Sequence, residues 1–375
     1  MIDFELSDEQ KMVRETVGAF ARDQVRPAAR LSDESGAITP DLVEQAWELG
    51  LARGPIPEGF GGFGDRRSIL TGALVAEELA WGDLAIALHV FAPQLFAFPI
   101  LEMGTEEQRQ RFLPLVATQH FTAASAAVME PRYDFDLSDL GTIASSSPLG
   151  FTLSGDKCCV PLAQEARAFL IYARSEKESN VARLGDLPGT QVFIVARDAA
   201  GLTVAEREKN MGIKALATYE LKLDRVKLAP DALLGGQQGA DVARLAACAR
   251  VALAAMAVGV SRAAFEYARD YAKERNAFGA PIATKQAIAF MLAEMAIEID
   301  AARLLTWQAA SRLDKGLAAL KEASRAKNYA ASVALKTTDN AVQILGGHGY
   351  IREHPVEMWL RNARGFSAFE GLAIV

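Results

Sequence analysis

Glu370 and the glycines at 346, 347 and 349 are the residues of this 375-residue chain whose types and spacing could do chemistry together. The stretch opens with Gln343-Ile344-Leu345-Gly346-Gly347-His348-Gly349-Tyr350 and closes with Phe369-Glu370-Gly371. Glycines let the backbone take positive φ and bring N–H groups close to a ligand, which suits a pyrophosphate or ribose. The same run also suits the C-cap of a helix. Glu370 stands between Phe369 and Gly371 and is followed by Leu372, Ala373, Ile374 and Val375. A carboxylate in apolar surroundings has a raised pKa, because burial disfavours its charged form, and it is then a usable base near neutral pH. A solvated acid near a chain end is the other reading of the same residues.

The elements that must position these residues read mainly as helices. Ser7-Asp8-Glu9-Gln10 has capping-box spacing and starts a helical pattern expected to end near Arg26, before Pro27. A second helix is expected from Thr39-Pro40 to Gly50. Pro57-Glu58-Gly59-Phe60-Gly61-Gly62 is too rich in glycine for a helix. Helical stretches resume from Arg66 to Ala80 and from Leu84 to Glu102, and Thr105-Glu106-Glu107-Gln108 supplies another capping box. From 121 to about 230 the chain shifts to short runs bounded by turns. Gln191 to Ala196 suits a buried strand, and Tyr219, Leu221 and Leu223 alternate with polar residues as in a strand with one wet face. Helix returns after Gly239. Ile288, Met291, Leu292, Met295 and Ile299 recur at helical spacing, and the Ala-rich segments 244–272 and 317–345 complete a four-helix bundle. The expected fold is mostly α with a central β-domain. A helical domain spans 1–120, a small β-barrel or sandwich 121–235, and a C-terminal four-helix bundle 236–375.

Composition narrows the function classes. Half the residues are hydrophobic and the net charge is −7, which argues against nucleic acid as a main partner. Cys158, Cys159 and Cys248 are odd in number, so no disulfide framework is readable. Met1 to Glu5 lacks the basic and apolar regions of a signal peptide, and a reducing, cytoplasmic location is expected. The adjacent Cys158 and Cys159 read as small apolar fillers of a strand, with a redox pair as the alternative. Four scattered histidines give no ligand spacing, so no metal is expected. Leu84 to Leu101 carries no formal charge but contains two prolines, and it reads as buried helix and pocket wall rather than a membrane span.

Several motifs carry a resemblance beyond this. They are Pro57 to Gly62; Thr105 to Gln108 leading to Arg111-Phe112-Leu113-Pro114; and Glu208-Lys209-Asn210-Met211-Gly212. More specific are Arg275-Asn276-Ala277-Phe278-Gly279-Ala280-Pro281-Ile282 with Lys285-Gln286, and Gln343 to Gly347 with Glu370 following Gln343 by 27 residues. With the order of domains, they resemble the acyl-CoA dehydrogenases over almost the whole chain.

That resemblance implies FAD and a CoA thioester. Glu370 would take the α-proton while a hydride passes from the β-carbon to the flavin, and the Glu370 N–H would help hold the thioester carbonyl. Phe135, Arg250, Phe369 and Gly371 would meet substrate, with holding a loop as the other reading of Arg250, and Phe91, Leu95 and Phe98 would line the acyl pocket, favouring short, branched or ring-bearing groups. A second family arrangement puts the base just before the position of Arg250, where this chain has Ala249. Arg275, Phe278, Ile282, Gln286, Gln343, Gly346 and Gly347 would serve the FAD of a neighbouring subunit. Val128, Met129 and Pro161 would face the chain's own FAD. In that half the family's Thr-Glu-Pro-x-Ala-Gly-Ser-Asp reads Met129-Glu130-Pro131-Arg132-Tyr133-Asp134-Phe135-Asp136, and its Trp-Ile-Thr reads Cys159-Val160-Pro161. After the base, Glu-Gly-Thr reads Glu370-Gly371-Leu372. A shared site implies a dimer or a homo- or heterotetramer, with an electron-transferring flavoprotein as acceptor. Three readings follow: an acyl-CoA dehydrogenase, a flavin-poor partner subunit of a heteromeric one, or a flavin oxidase or monooxygenase of the same fold.

Overall fold

The computed structural model of the chain describes residues 5–176, 187 and 189–375; Met1 to Phe4 of the N-terminal segment lie outside them. Ser7 caps α1 (Asp8–Phe20), its hydroxyl accepting the Gln10 N–H while the Gln10 side chain accepts that of Ser7. The helix does not stop before Pro27, as expected from sequence. A π-helical turn, Ala21–Val25, in which the Arg26 N–H reaches the Ala21 carbonyl, leads into α2 (Arg26–Ser35). The wide turn re-phases the ladder, so the missing proline N–H falls in a first turn. α3 (Pro40–Glu48) and α4 (Ile69–Gly82) follow. The single helix expected over 84–102 is two, α5 (Leu84–Phe91) and α6 (Gln94–Met103), bent by 41° where Pro93 cannot continue the hydrogen-bond ladder. α7 (Glu106–Phe112) starts at the Thr105 capping box.

The middle of the chain is a seven-stranded mixed sheet. Its strands are β1 (Ser125–Ala127), β2 (Ile143–Ser147), β3 (Gly150–Pro161), β4 (Ala168–Ser175), β5 (Thr190–Ala196), β6 (Leu202–Arg207) and β7 (Thr218–Leu228). They run in the order β1-β4-β2-β3-β7-β6, with β5 also paired to β4. β4 is parallel to β1 and β2 and antiparallel to β5. Side chains alternate across a strand, and here both faces are covered. Leu170, Val192 and Ile194 join the helical core, while Phe169, Ile171, Phe193 and Val195 form a second core on the far face. This double burial explains why β4 and β5 read as unbroken apolar runs.

The C-terminal region holds α8 (Val242–Glu274), a short hairpin β8 (Asn276–Ala277) and β9 (Ala280–Pro281), then α9 (Gln286–Asp314), α10 (Leu320–Leu345), α11 (Gly347–Tyr350) and α12 (Val356–Ala363). Met295 and Ile299 of the expected α9 stripe are buried and Glu294 is exposed. α8 is apolar and long enough to cross a membrane, yet most of its apolar length is buried against its neighbours.

Asp83, at the junction of α4 and α5, is buried and accepts the Ile86 N–H at 2.9 Å. Burial pushes its carboxyl up to about 6. Because the unfolded value is about 3.9, the native state binds this proton more tightly, so the stabilisation is present below about pH 4 and lost as pH rises to about 6. The swing is on the order of 3 kcal/mol. Asp83→Asn keeps a cap acceptor and is expected to flatten urea-unfolding stability over that window. An unchanged pH slope would show that another group titrates there.

Candidate active site

Glu370 lies on a turn that follows α12 and the 3-10 segment Arg364–Ser367. Gly371 takes φ +63°, and a Cβ there would stand 2.4 Å from the Val128 side chain, so the turn needs glycine. Leu372, Ala373, Ile374 and Val375 are buried, as an apolar tail should be. The Glu370 carboxylate itself is not in apolar surroundings, which corrects the sequence expectation. Arg250 Nε lies 3.2 Å from its Oε1 and Lys327 Nζ lies 3.4 Å from the same oxygen. Arg250 Nη1 also donates to Ser324 Oγ at 2.8 Å. Arg250 comes from α8, and Ser324 and Lys327 from one face of α10, so these partners are distant in sequence. The Glu370 N–H points at Met129 Sδ, 3.5 Å away.

Glu370 and Gly371 border a cavity of about 20 Å³ with Val128, Leu95, Ala126 and Ala249. Of the three side chains expected to line an acyl pocket, only Leu95 does so. Phe91 and Phe98 border a different cavity, of about 550 Å³, and Phe98 lies 4.5 Å beneath the Arg67 guanidinium. Phe135 and Phe369 are half-buried and pack against the main core.

β3 holds the backbone next to Glu370. Lys157 Nζ donates to the Val128 carbonyl at 3.1 Å and to Glu130 Oε1 at 2.9 Å, and the Cys158 N–H donates to the Met129 carbonyl at 2.9 Å. Pro161, also buried, pairs with Thr218 of β7. Burial pulls the Lys157 ammonium down to about 8 even with Glu130 beside it, so desolvation outweighs the attraction within the pair.

A second groove, of about 520 Å³, is bordered by Arg275, Ile282, Gly346 and Gly347, with Tyr271 and His348 beside them. Cβ atoms added to Gly346 or Gly347 would meet nothing within 4 Å, so the backbone there is open to a ligand. The Tyr271 hydroxyl and His348 Nδ1 are 3.1 Å apart and brace the loop. Phe278, at φ +54°, is 94% exposed at the hairpin tip, and Gln286 and Gln343 are exposed as well. No residue borders both this groove and the Glu370 cavity.

Comparison with known proteins decides the family. The N-terminal, middle and C-terminal domains of acyl-CoA dehydrogenase match residues 7–120, 125–226 and 238–373. The chain belongs to the acyl-CoA dehydrogenase family. An acyl-CoA dehydrogenase of Bacillus subtilis is 33% identical over 98% of this chain and 95% of its own. The structure of butyryl-CoA dehydrogenase from Megasphaera elsdenii is similar at TM-score 0.86 and 31% identity, covering 99% of this chain and 96% of that one. A chain in a structure described as the electron transferring flavoprotein of Acidaminococcus fermentans is similar at TM-score 0.87 and 30% identity, over 99% and 96%.

Acyl-CoA dehydrogenases are FAD-dependent oxidoreductases, and the second groove fits part of that group. A guanidinium beside open glycine backbone is a donor set for a pyrophosphate. Sequence reasoning missed Lys327, Ser324, Tyr271 and His348. Ser324 and Lys327 are three apart on a helix, a spacing that puts two polar groups on one face, but nothing local says that the face meets Glu370.

The Glu130 and Lys157 pair yields a test of how β3 holds Val128 and Met129. Glu130→Ala strands a buried ammonium and is expected to cost about 3–5 kcal/mol. Lys157→Met should cost less, because Glu130 keeps the Gly141 and Thr142 N–H groups at 2.7 and 2.8 Å. Chemical denaturation checks the order; equal losses would show that the ammonium is not the costly partner.

Proposed function

We propose that this acyl-CoA dehydrogenase removes the α and β hydrogens of a small acyl-CoA thioester, with Glu370 as the base. The observation that supports it most is the setting of the Phe369–Gly371 turn. A carboxylate braced by Arg250 and Lys327 and a weakly engaged backbone N–H come from one residue beside an apolar cavity.

The two carboxylate oxygens are not equivalent. Oε1 faces both cations, while Oε2 has a single described contact, Arg250 Nε at 3.4 Å. Oε2 is therefore the oxygen that takes the α-proton, and Oε1 anchors the group. Sulfur is a weak acceptor, so a thioester carbonyl displaces Met129 from the Glu370 N–H at small cost, and that N–H then stabilises the developing enolate. Arg250 and Lys327 fix the carboxylate from α8 and α10, limiting its motion during proton transfer. Bound FAD supplies the hydride acceptor. Arg275, Gly346 and Gly347 would hold its pyrophosphate, and Phe278, Ile282, Gln286 and Gln343 would contact it from a second copy of the chain. Val128, Met129 and Pro161 would line the flavin's other side, with Phe135 and Phe369 toward substrate.

Similarity to the butyryl-CoA dehydrogenase structure supports a short acyl group. Assembly is supported by apolar side chains turned outward. Phe290, Ile297 and Leu304 of α9 recur every seven residues and are 60, 69 and 45% exposed. Similarity to the Acidaminococcus fermentans structure supports an electron-transferring flavoprotein as acceptor.

One set of observations favours a second reading, a flavin-poor partner subunit. Met129, Pro161 and Leu372 replace polar groups in the half of the FAD site that serves the chain itself, and Pro161 also removes a buried N–H. The visible spectrum of the purified protein separates the two. About one flavin per chain, bleached by butyryl-CoA, is expected. A protein that stays colourless with added FAD, and gains flavin only with a second homologous chain, would overturn the first reading.

In the flavin-loaded protein, Glu370→Gln is expected to slow bleaching by about 10²- to 10⁴-fold while flavin content is unchanged. Lys327→Met should lower kcat by roughly 10- to 100-fold with little change in KM, as misplacement of a base does. A thermal melt of each variant separates this from unfolding. Loss confined to KM would show that Lys327 serves binding instead.

A further inference from the structure

Cys158 and Cys159 lie in β3, and Cys159 packs against the main core. Both are half-buried, and they sit at a bulge where the pairing of β3 with β7 slips between Lys157 and Val160. In a regular strand, adjacent side chains point to opposite faces. Here Cys159 takes φ +53°, the left-handed region, and the two thiols turn to the same side. A carboxylate from the opposite edge meets them: one ligand atom from each of Cys158, Cys159 and Glu208 lies within 4.8 Å of the others.

Glu208 is fixed in place and only half used. Its Oε1 accepts the Cys159 N–H at 3.0 Å, while its Oε2 is buried with no hydrogen-bond partner among the described residues. A buried carboxylate oxygen with no donor is costly unless something else satisfies it. The charges around the thiols are also suited to a cation. Glu208 and Glu220 both act on Cys158, and the nearby Lys157 ammonium is engaged by Glu130.

We propose that Cys158, Cys159 and Glu208 form a binding site for a soft divalent cation of the zinc type, with two thiolates and one carboxylate as ligands. Zinc takes thiolates at about 2.3 Å in tetrahedral geometry, which asks for sulfur atoms about 3.8 Å apart. The donors already lie within 4.8 Å of one another, near that spacing. Binding releases two thiol protons to solvent and forms two metal–sulfur bonds and one metal–oxygen bond, with no change of oxidation state. Three protein ligands leave a fourth position open. The site adjoins the Glu370 turn through one hydrogen bond, since the Cys158 N–H donates to the carbonyl of Met129. It stands on these side chains alone and not on the proposed reaction.

The test is titration of the full chain, reduced and under anaerobic conditions, with Co²⁺ as the optical probe and with Zn²⁺ in competition. One Co²⁺ per chain is expected, with a thiolate-to-cobalt charge-transfer band and tetrahedral visible bands that Zn²⁺ abolishes. Cys159→Ser should remove the charge-transfer band, and Glu208→Gln should weaken affinity by at least about tenfold, the lower end of what losing even an outer-shell partner costs. Unchanged melting temperatures in the absence of metal would show that the variants are folded. Cys248, fully buried in α8, remains in every variant as an internal control. No charge-transfer band, or one that survives in the Cys158→Ser/Cys159→Ser double variant, would overturn the proposal. So would a mass two hydrogens lower in protein purified without reductant, which assigns the pair to a disulfide.

Discussion

Gly259 sets how closely α8 approaches α4. A Cβ at this position would lie 2.2 Å from the Glu77 carbonyl oxygen, so the two backbones nearly touch. Contact this tight leaves no room for long side chains, and residues 251 to 258 of α8 are almost entirely small or branched apolar groups with exposures of 0–2%. The charges here are held in ion pairs. Arg262 of α8 and Arg303 of α9 enclose Glu77, with contacts of 2.9 and 3.0 Å, and Arg262 also holds Glu78. A helix packed on so many sides cannot shift by a fraction of a turn. Arg250, two turns before Gly259, therefore has a fixed origin, and so does its reach to Glu370.

This rigidity explains why parts of the molecule were legible in sequence and others were not. The capping boxes at Ser7 and Thr105 are local, because the donors and acceptors that satisfy them lie three residues apart. The strand from 190 to 196 announced itself because both of its faces are buried, and the α9 stripe because one of its faces is. What failed was anything that depends on residues far apart in the chain. Glu370 has apolar neighbours along the chain and two cations in space, and only the latter touch its carboxylate. The parallel pairing of β4 with β1 and β2 joins segments that no hairpin signal connects. The helix through Pro27 and the bend at Pro93 show that a proline near a helix end has two outcomes, and surrounding packing selects between them.

The two halves of the proposed cofactor site differ for a related reason. The Arg275 to Ile282 hairpin and the Gly346-Gly347 turn stand out from the body, so their residues were free to keep a specific sequence, and the motif was readable. The other half is built into β1 and β3, where Val128 and Pro161 are also core residues. A position that serves both packing and a ligand is constrained by both. Its replacement by Pro161 shows the packing requirement met while the N–H and hydroxyl are gone. Among the described residues the two grooves share no lining residue.

Met129 is the position where loss and retention meet. Sulfur replaces the hydroxyl that the family pattern has there, which removes a strong hydrogen-bonding partner for a flavin. The same sulfur stands 3.5 Å from the Glu370 N–H. A hydroxyl oxygen in that place would compete with a thioester carbonyl for the donor, because oxygen is a much better acceptor than a thioether. In the proposed mechanism the N–H is thus covered but barely committed, and a substrate oxygen would gain almost the whole value of the hydrogen bond. Weakening at the cofactor edge and readiness at the carbonyl donor follow from one atom, so the departure at 129 does not by itself argue that the chemistry at Glu370 has been lost.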